Sequence, residues 1–471
     1  MTGTMRRQAS FGRIKNVHMV GIGGIGMSSI AEVLIARGYR VSGSDLQASP
    51  VTRRLASLGA TVHEGHAAEH VADADVVVYS SAVRPEANPE TQEAERRRVP
   101  LIRRAEMLGE LMRAKYGIGI AGTHGKTTTT SMAGLVVQHG GFDPTIIVGG
   151  KVTVFDSNAV SGEGDIIIIE ADEYDRTFLR LTPALAVVTN IEADHLDIYS
   201  DLGDLKDAFV EFACSVPFFG AAIVCLDDPA VREVLRRIER RVITYGTSRQ
   251  AQIRAESIEQ VGPVTRFGVV RDGEMLGEVT LRAPGLHNVR NALAAVAIGL
   301  ELDIPFSRIQ EALAAFTGVD RRFQIKGEAA GLIVIDDYAH HPTEIEATLD
   351  AASTGWPDRR VVAVFQPHLY SRTRDFQEAF ARAFYDADVL VLTEIYGARE
   401  APIEGVTGKA LADLTSRYGH RDVRFVPDTS DLPSFLREVT RPGDLVLTMG
   451  AGDVWTCGEE FLEQLQDEEA A

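Results

Sequence analysis

The sequence feature that most constrains this 471-residue chain is the segment IGIAGTHGKTTTTSMAG at residues 118–134. A short apolar run leads into a glycine-rich turn, and a helical pattern follows it. Such a turn holds nucleotide phosphates, because glycines let the backbone approach closely and its free N–H groups point at the ligand. Lys126 can then reach the β- and γ-phosphates, and the Thr127 hydroxyl can bind Mg²⁺. The segment therefore predicts a site for ATP or a related nucleotide.

The match to the usual phosphate-loop spacing is incomplete. That spacing expects a glycine at the position of Ile120, whereas the neighbouring glycines are Gly119 and Gly122. An ordinary strand-to-helix loop with a surface lysine is the alternative. Gly-Lys-Thr directly behind an apolar strand favours the phosphate site.

A second glycine-rich turn, GIGGIG, also follows an apolar run and precedes a helical pattern. With Asp45 about 20 residues further on, it matches the fingerprint of dinucleotide-binding folds. Its glycines can cradle any diphosphate, so the turn predicts a diphosphate site and leaves NAD and a UDP-sugar both open. The residues concerned are Gly21, Gly23, Gly24, Gly26 and Asp45.

Bulk composition limits the classes of function. The chain is 45% hydrophobic and 24% charged, as in ordinary globular proteins. Its net charge of −19 argues against binding nucleic acid. The three cysteines are scattered without paired spacing, which is typical of reduced cytosolic thiols. The N-terminus lacks the apolar core of a signal peptide, and no apolar run approaches the ~20 residues of a membrane span. We therefore expect a cytoplasmic protein without membrane insertion.

Strand-like apolar runs alternate with helical patterns through most of the chain, which predicts βαβ units with parallel sheets. At about 150 residues per domain, the length favours three domains. A helical stretch at 105–114 precedes the strand of the phosphate loop, and a third series of strands begins after 318–324. We predict domain boundaries that give residues 1–115, 116–320 and 321–471.

Two acidic segments follow apolar runs of the central region. Glu170 ends a run that is too uniformly apolar to face water, and a carboxylate at such a strand end beside a phosphate loop can bind Mg²⁺. His195 ends the next run and lies among acids, which predicts a second metal position. A solvated strand-end acid and a structural histidine are the alternatives.

The last third carries three polar clusters: DRRF at 320–323, DDYAHHP at 336–342, and QPH at 366–368 with Arg372 and Arg374. The acids and histidines at 336–342 are consistent with a metal site, and equally with binding of a ribose and a small polar substrate. The two arginines can grip a carboxylate through paired hydrogen bonds. The sequence alone leaves these alternatives open.

The order and spacing of the motifs resemble the Mur ligases of peptidoglycan synthesis over essentially the whole chain. The resemblance runs through VGIGGIGMS, AGTHGKTTT, EADEYDRTFL, NIEADHLD, HNVRNALAA, DRRFQ, DDYAHHPTEI and QPHLYSRT. It implies an α/β fold of three domains: a Rossmann-like N-terminal domain for a UDP-sugar, a central P-loop-type ATPase domain with a parallel sheet, and a C-terminal Rossmann-like domain for an amino acid. It also implies a ligase that uses ATP and Mg²⁺ to activate the lactyl carboxylate of UDP-N-acetylmuramate as an acyl phosphate, which the amine of L-alanine then attacks.

The resemblance also implies roles for individual residues. ATP would be held by Gly122, Thr123, His124, Gly125, Lys126, Thr127 and Thr128, with Asn291 at the adenine and Arg322 and Asp337 completing the site. Mg²⁺ would be held by Thr127, Glu170 and His195, the UDP-sugar by Gly21, Gly23, Gly24, Gly26 and Asp45, and L-alanine by Tyr338, His340 and Arg372. We expect Lys126, Glu170, His195 and His340 to act in catalysis, and the chain to be a monomer or a weak homodimer.

Three other functions compete with this interpretation. A ligase that joins UDP-N-acetylmuramate to a whole tripeptide would carry similar first and second domains, although the segments RTFLRLTP and DHLDIY favour addition of alanine. An NAD-dependent dehydrogenase would leave the Lys126 loop unexplained. A non-catalytic ATP switch would hydrolyse ATP slowly and would not respond to the sugar.

Overall fold

The computed structural model describes residues 11–152, 157–193, 198–398 and 400–470. These residues divide into two compact units. Unit 1 comprises the described residues up to 255 together with 269–277 and 290–313. Unit 2 comprises 256–268, 278–289 and the described residues from 314 onward.

The N-terminal part of unit 1 alternates parallel strands with helices. Its elements are β1 (Asn16–Val20), α1 (Ile25–Ala36), β2 (Arg40–Asp45), α2 (Pro50–Ser57), β3 (Thr61–Glu64), β4 (Val76–Tyr79), α3 (Pro89–Arg97), β5 (Leu101–Arg103) and α4 (Arg104–Arg113), with 3₁₀ helices at Ala68–Val71 and Pro85–Ala87. The strand order is β3-β2-β1-β4-β5. The order reverses at β1, and ligands of such sheets bind at the carboxyl ends of the strands beside the reversal. The glycine turn that follows β1 lies at this edge.

The central part of unit 1 is a second, larger sheet. Its elements are β6 (Tyr116–Ala121), α5 (Lys126–His139), β7 (Thr145–Val152), β8 (Ser157–Val160), β9 (Ile166–Glu170), β10 (Leu185–Val188), α6 (Leu202–Cys214), β11 (Ala221–Cys225), α7 (Pro229–Val234), β12 (Val242–Gly246) and α9 (Phe306–Ala314), with 3₁₀ helices at Tyr174–Arg180 and Leu235–Arg237. In the order β12-β11-β10-β6-β9-β7-β8, all pairs are parallel except β7 with β8. The last residue of α9, Ala314, belongs to unit 2. Four further elements also contain residues of both units: β13 (Ile253–Val261), β14 (Val264–Arg271), β15 (Glu274–Leu281) and α8 (Leu286–Glu301).

Unit 2 contains the third sheet. Its elements are β16 (Gln324–Ala329), β17 (Leu332–Asp337), α10 (Pro342–Gly355), β18 (Val361–Phe365), α11 (Tyr370–Asp375), α12 (Gln377–Arg382), β19 (Val389–Leu392), α13 (Gly408–Arg417), β20 (Val423–Phe425), α14 (Leu432–Val439), β21 (Leu445–Met449) and α15 (Val454–Ala470), with a 3₁₀ helix at Thr429–Asp431. The order is β16-β17-β21-β18-β19-β20, and only β16 pairs in the antiparallel sense.

Burial explains why the strands read as continuous apolar runs. In unit 2, alternate residues of β18 enter two different cores: Val361, Ala363 and Phe365 pack on one face, and Val362 and Val364 on the other. A parallel sheet covered by helices on both faces requires this pattern. Among the described residues, no helix combines the length and apolarity that a bilayer span requires. The α/β fold class expected from the sequence is confirmed.

Candidate active site

The first glycine turn links β1 to α1 and is shaped by its own hydrogen bonds. Gly21 has a φ of +79°, in the left-handed region that glycine adopts without strain, and its N–H donates to Ser44 O at 2.8 Å. The Gly23 N–H donates to Asp45 Oδ2 at 2.8 Å, and a Cβ on Gly23 would lie 2.8 Å from that oxygen. Asp45 therefore holds the turn in shape, and only glycine fits against it.

The other two predicted glycines of this turn lie at the start of α1. Gly24 is the N-cap of the helix, and Gly26 lies in its first turn. Gly26 packs against the guanidinium of Arg104, the first residue of α4. The five residues predicted for the UDP-sugar therefore lie together in the structure: four are glycines at the turn and the start of α1, and the fifth is the acid, Asp45, that supports the turn.

The phosphate turn, residues 122–128, links β6 to α5 and is fastened to the end of β10. Gly122 and Gly125 have φ values of +144° and +80°. A Cβ on Gly122 would lie 1.9 Å from Thr189 Oγ1, so this position also excludes a side chain. Asn190 clamps the middle of the turn, because its Oδ1 accepts from the His124 N–H at 2.8 Å and its Nδ2 donates to His124 O at 3.0 Å. Side chains from a neighbouring strand therefore preform the turn.

Lys126 lies inside this turn. Its ammonium donates to Gly122 O at 2.6 Å and Thr123 O at 3.1 Å, and it forms an ion pair with Glu173 Oε2 at 2.7 Å. The Glu173 side chain is only 2% exposed. Burial acts to lower the pKa of Lys126, but the carboxylates of Glu173 and Asp172 outweigh it and the pKa is raised. The structure therefore holds a permanent positive charge in the turn.

Thr127 and Glu170 lie side by side. The Thr127 hydroxyl donates to Glu170 Oε1 at 3.2 Å, while Glu170 Oε2 accepts from the Gly149 N–H at 2.7 Å. Burial raises the pKa of Glu170, against the opposing effects of the Gly149 N–H and Lys126. A hydroxyl and a carboxylate oxygen beside a phosphate turn are the donors that Mg²⁺ prefers, so these residues fit the ion. The third predicted ligand, His195, lies outside the described residues.

The remaining nucleotide residues predicted in unit 1 surround the same turn. Thr123 donates its N–H to Asn190 O at 3.2 Å, and Thr128 is buried in the first turn of α5. Asn291, on α8, accepts from Thr129 Oγ1 at 3.1 Å, and a Cβ on Gly125 would lie 2.6 Å from its Oδ1. Asn291 therefore lies against the phosphate turn, and its role at the adenine stays a prediction.

In unit 2, the predicted residues gather after β17. The carboxylate of Asp337 accepts from the N–H groups of Phe323 at 2.6 Å and Ala339 at 2.7 Å. Burial raises the pKa of Asp337 to about 7, although Arg322 and the two amides act against this. The Arg322 guanidinium lies 5.2 Å from the ring centre of Tyr338. Asp337 thus fixes the segment that carries Arg322.

A second group in unit 2 lies between α10 and α11. Glu344 Oε2 is 3.1 Å from His340 Nδ1 and accepts from the His340 N–H at 3.0 Å, and Glu344 Oε1 is 3.6 Å from the guanidinium of Arg322. Arg372 Nη1 is 3.4 Å from His368 Nδ1, and the centres of the His340 and His368 rings are 6.3 Å apart. We call His340, His368, Glu344 and Arg372 the histidine cluster.

Burial keeps both imidazoles of this cluster neutral. It lowers the pKa of His340 to about 4; Glu344 opposes the shift and Arg372 adds to it. Burial and Arg372 likewise lower the pKa of His368 to about 4. The metal alternative for 336–342 gains no support from its acids, because Asp336 is paired with Arg321 at 3.1 Å and Asp337 is held by backbone amides.

Sequence reasoning missed three residues that organise these sites. Glu173, the partner of Lys126, stood among four acids of one motif with nothing to distinguish it. Glu344 follows the DDYAHHP segment with no pattern that distinguishes it from other acids, and His368 is one member of the QPH cluster whose partners the sequence does not indicate. The available signal is that His340 lies just before the N-cap of α10 while Glu344 lies in the first turn, where a carboxylate can accept from the N–H groups that precede the helix.

Family models match the chain in three successive segments. The Mur ligase family catalytic domain matches residues 16–116, the Mur ligase middle domain 120–299, and the Mur ligase glutamate ligase domain 321–452. The chain is 66% identical to the UDP-N-acetylmuramate--L-alanine ligase of Salinibacter ruber over 464 residues, 98% of each chain. The enzyme of the same name from Geobacter sulfurreducens is 56% identical over 97% of this chain and 99% of that one.

Solved structures agree with these matches. The UDP-N-acetylmuramate-alanine ligase of Thermotoga maritima superposes with a TM-score of 0.81 at 30% identity, covering 96% of this chain and 99% of that one. A murein peptide ligase from Psychrobacter arcticus has a TM-score of 0.68 at 24% identity, a likeness of fold alone. With all three family domains matched in order and a full-length relative at 66% identity, this chain belongs to the Mur ligase family.

Proposed function

We propose that this chain joins L-alanine to the lactyl carboxylate of UDP-N-acetylmuramate, with ATP converted to ADP and phosphate. A carboxylate oxygen attacks the γ-phosphorus as the bond to the ADP oxygen breaks, which gives an acyl phosphate. The alanine amine then attacks the acyl carbon, loses a proton, and phosphate leaves. The full-length relatives are named as ligases of the same two substrates, UDP-N-acetylmuramate and L-alanine.

The single observation that carries the proposal is the Lys126 ammonium held inside the phosphate turn by Gly122 O, Thr123 O and Glu173. The first step brings an anionic carboxylate toward an anionic phosphate. A fixed cation lowers that barrier by stabilising charge on the phosphoryl oxygens. Thr127 and Glu170 would hold Mg²⁺, which neutralises phosphate charge when bound, and His195 remains the third predicted ligand.

At the amino-acid end, Arg372 would bind the alanine carboxylate, with Tyr338 and His340 beside it. His340 is neutral at pH 7, so its ring nitrogen can accept a hydrogen bond from the amine. The pKa of His340, about 4, lies far below that of an amino group, so transfer of a proton from the alanine ammonium to this imidazole is strongly unfavourable. That cost favours an orienting role for His340 over proton abstraction.

At the sugar end, Gly21, Gly23, Gly24, Gly26 and Asp45 would form the diphosphate site. The glycine turn at 21–26 lies where the strand order of the first sheet reverses, and such ligands bind at that point of a parallel sheet. Arg322, Asp337 and Asn291 would complete the ATP site. Support for these roles is the clustering of the residues within each unit and the order of the motifs.

The test is phosphate release with each substrate omitted in turn. We expect release to require ATP, Mg²⁺, UDP-N-acetylmuramate and L-alanine together. Release with the tripeptide and not with L-alanine would instead identify the tripeptide ligase. Slow release that ignores the sugar would identify an ATP switch, and NAD binding would point to the dehydrogenase; either result would overturn the proposal.

We also propose the domain ranges 1–115, 116–320 and 321–471. The first boundary falls between α4, which ends at Arg113, and β6, which begins at Tyr116. The second falls between α9, which ends at Ala314, and β16, which begins at Gln324. A cytoplasmic location, supported by the scattered free cysteines, and a monomer or weak homodimer are further proposals.

A further inference from the structure

Arg104 is the first residue of α4, and its guanidinium lies against the first turn of α1, beside the glycine turn at 21–26. A Cβ built on Gly26 would lie 2.3 Å from Arg104 Nη1 and 3.2 Å from Cζ. The guanidinium therefore packs directly on the backbone of Gly26, and any side chain at that position would displace it. The absence of a side chain at Gly26 serves Arg104, whereas Gly23 serves Asp45.

The contacts of Arg104 within the protein do not explain this placement. Among the described residues, its ion pair is with Asp172, at 3.8 Å between Nη2 and Oδ2, and the Asp172 side chain is 39% exposed. An exposed pair of this length contributes little to stability. Other partly buried arginines of this chain form much shorter pairs, such as Arg360 with Asp444 at 2.6 Å. Arg104 thus keeps donor capacity toward its surroundings.

The position of Arg104 suits an anionic group of the substrate. Its side chain is 20% exposed, so solvent and ligands can reach it. The planar guanidinium presents several N–H donors in a fixed fork that matches two phosphate oxygens. In a chain of net charge −19, a fixed cation on the glycine turn also concentrates positive charge locally.

We propose that Arg104 binds the diphosphate of the UDP-sugar through paired N–H donors. This inference rests on the proposed function, which places the diphosphate on the turn formed by Gly21, Gly23, Gly24 and Gly26. The α4 helix start thereby contributes a binding residue that the glycine fingerprint alone does not contain.

The test is calorimetric binding of UDP and of UDP-N-acetylmuramate, without ATP or alanine. Arg104→Gln should raise the Kd of both ligands by about 10- to 100-fold, since a charged hydrogen-bond donor is lost. Arg104→Lys should fall between it and the wild type, because it keeps the charge and loses the fork. The matched control is Arg113→Gln at the other end of the same helix, where the side chain is 70% exposed; it should leave both Kd values unchanged.

A further variant separates binding from support of the fold. Asp172→Asn removes the ion pair and leaves Arg104 in place. If Arg104 acts only through that pair, Asp172→Asn and Arg104→Gln should weaken UDP binding equally, which would overturn the proposal. The proposal requires that Asp172→Asn binds UDP as well as or better than the wild type.

Two other outcomes also overturn the proposal. In the first, Arg104→Gln weakens UDP-N-acetylmuramate and not UDP, which would assign Arg104 to the lactyl carboxylate. In the second, Arg104→Gln binds both UDP and UDP-N-acetylmuramate as tightly as the wild type does. A wild-type protein that binds neither ligand would instead contradict the proposed function, so the two failures are distinguishable.

Discussion

The phosphate turn of unit 1 and the histidine cluster of unit 2 both bury ionisable groups, with opposite results. In unit 1, Lys126 lies 2.7 Å from a carboxylate that is 2% exposed, and its pKa is raised. In unit 2, the pKa values of His340 and His368 are lowered to about 4. Burial disfavours the charged form in both places, so the local partners decide the outcome.

The difference between the two regions suits two kinds of ligand. Lys126 has close acidic partners and remains charged, which suits a site for phosphates. His340 has one acid, Glu344, but Arg372 and Arg322 also lie near it and act against protonation. Neutral imidazoles beside an arginine suit an amino acid, because the arginine takes the carboxylate and the imidazole can accept from the amine.

The largest effect is expected from removal of the buried positive charge in the phosphate turn. Lys126→Ala should reduce phosphate release by at least about 10²- to 10³-fold, as for loss of a donor that stabilises transition-state charge. Removing one partner of a buried pair can also cost about 3–5 kcal/mol of stability. The double variant Lys126→Ala with Glu173→Gln removes that penalty and should be folded and equally inactive, measured by release assay and thermal unfolding.

Glu173→Gln alone is the control for this experiment. The two backbone carbonyls, Gly122 O and Thr123 O, still hold the ammonium, so a much smaller loss of rate is expected. Near-normal turnover of the Lys126→Ala variant would contradict the assignment of the phosphate turn.

An intermediate effect is expected at Glu170. Glu170→Gln keeps the shape of the side chain and removes the charge, so the Mg²⁺ concentration for half-maximal phosphate release should rise by at least about 10-fold. Glu163→Gln, an exposed acid elsewhere in unit 1, is the matched control and should leave the Mg²⁺ dependence unchanged. A Glu170 variant with wild-type Mg²⁺ dependence would show that this carboxylate does not bind the ion.

The order of strands, turns and helices was predictable because its signals are local. Apolar runs marked the strands, and two glycine turns marked where ligands approach the backbone. β5, with only three residues, is too short to give a periodic signal. The positive φ values of Gly122 and Gly125 could be expected from the turn pattern itself, without knowledge of the residues around it.

The partners of the site residues were not predictable, because they come from distant parts of the chain. Glu173 lies 47 positions from Lys126, and Asn190 lies 66 positions from His124. The conformation of the chain after β9 decides which of the acids at 170–175 faces Lys126. No sequence pattern indicates that conformation. The contact of Arg104 with the glycine turn was unpredictable for the same reason, because the two lie far apart in the sequence and Arg104 has only the pattern of a residue at a helix start.

The smallest expected effect concerns the neutral side of the comparison and is seen in stability. Unfolded histidine has a pKa near 6.5 and His340 a folded value of about 4, so between these values the unfolded state binds the extra proton. Stability is therefore full above pH 6.5 and is lost as the pH falls toward 4. For His340 alone, the loss between pH 7 and pH 5 should be about 2 kcal/mol, and His368 acts in the same direction.

Both tryptophans, Trp356 and Trp455, lie in unit 2, so urea unfolding followed by tryptophan fluorescence reports on that unit. His340→Asn should make the free energy of unfolding less dependent on pH between pH 7 and pH 5. Glu344→Gln lowers the pKa of His340 further, because Glu344 raises it. The loss of stability that His340 causes should then be nearly unchanged between pH 7 and pH 5 and should continue below pH 4, where the wild-type loss levels off. If His340 were protonated in the folded state near neutral pH, the wild type would instead keep its stability down to pH 5, and the contrast with Lys126 would disappear.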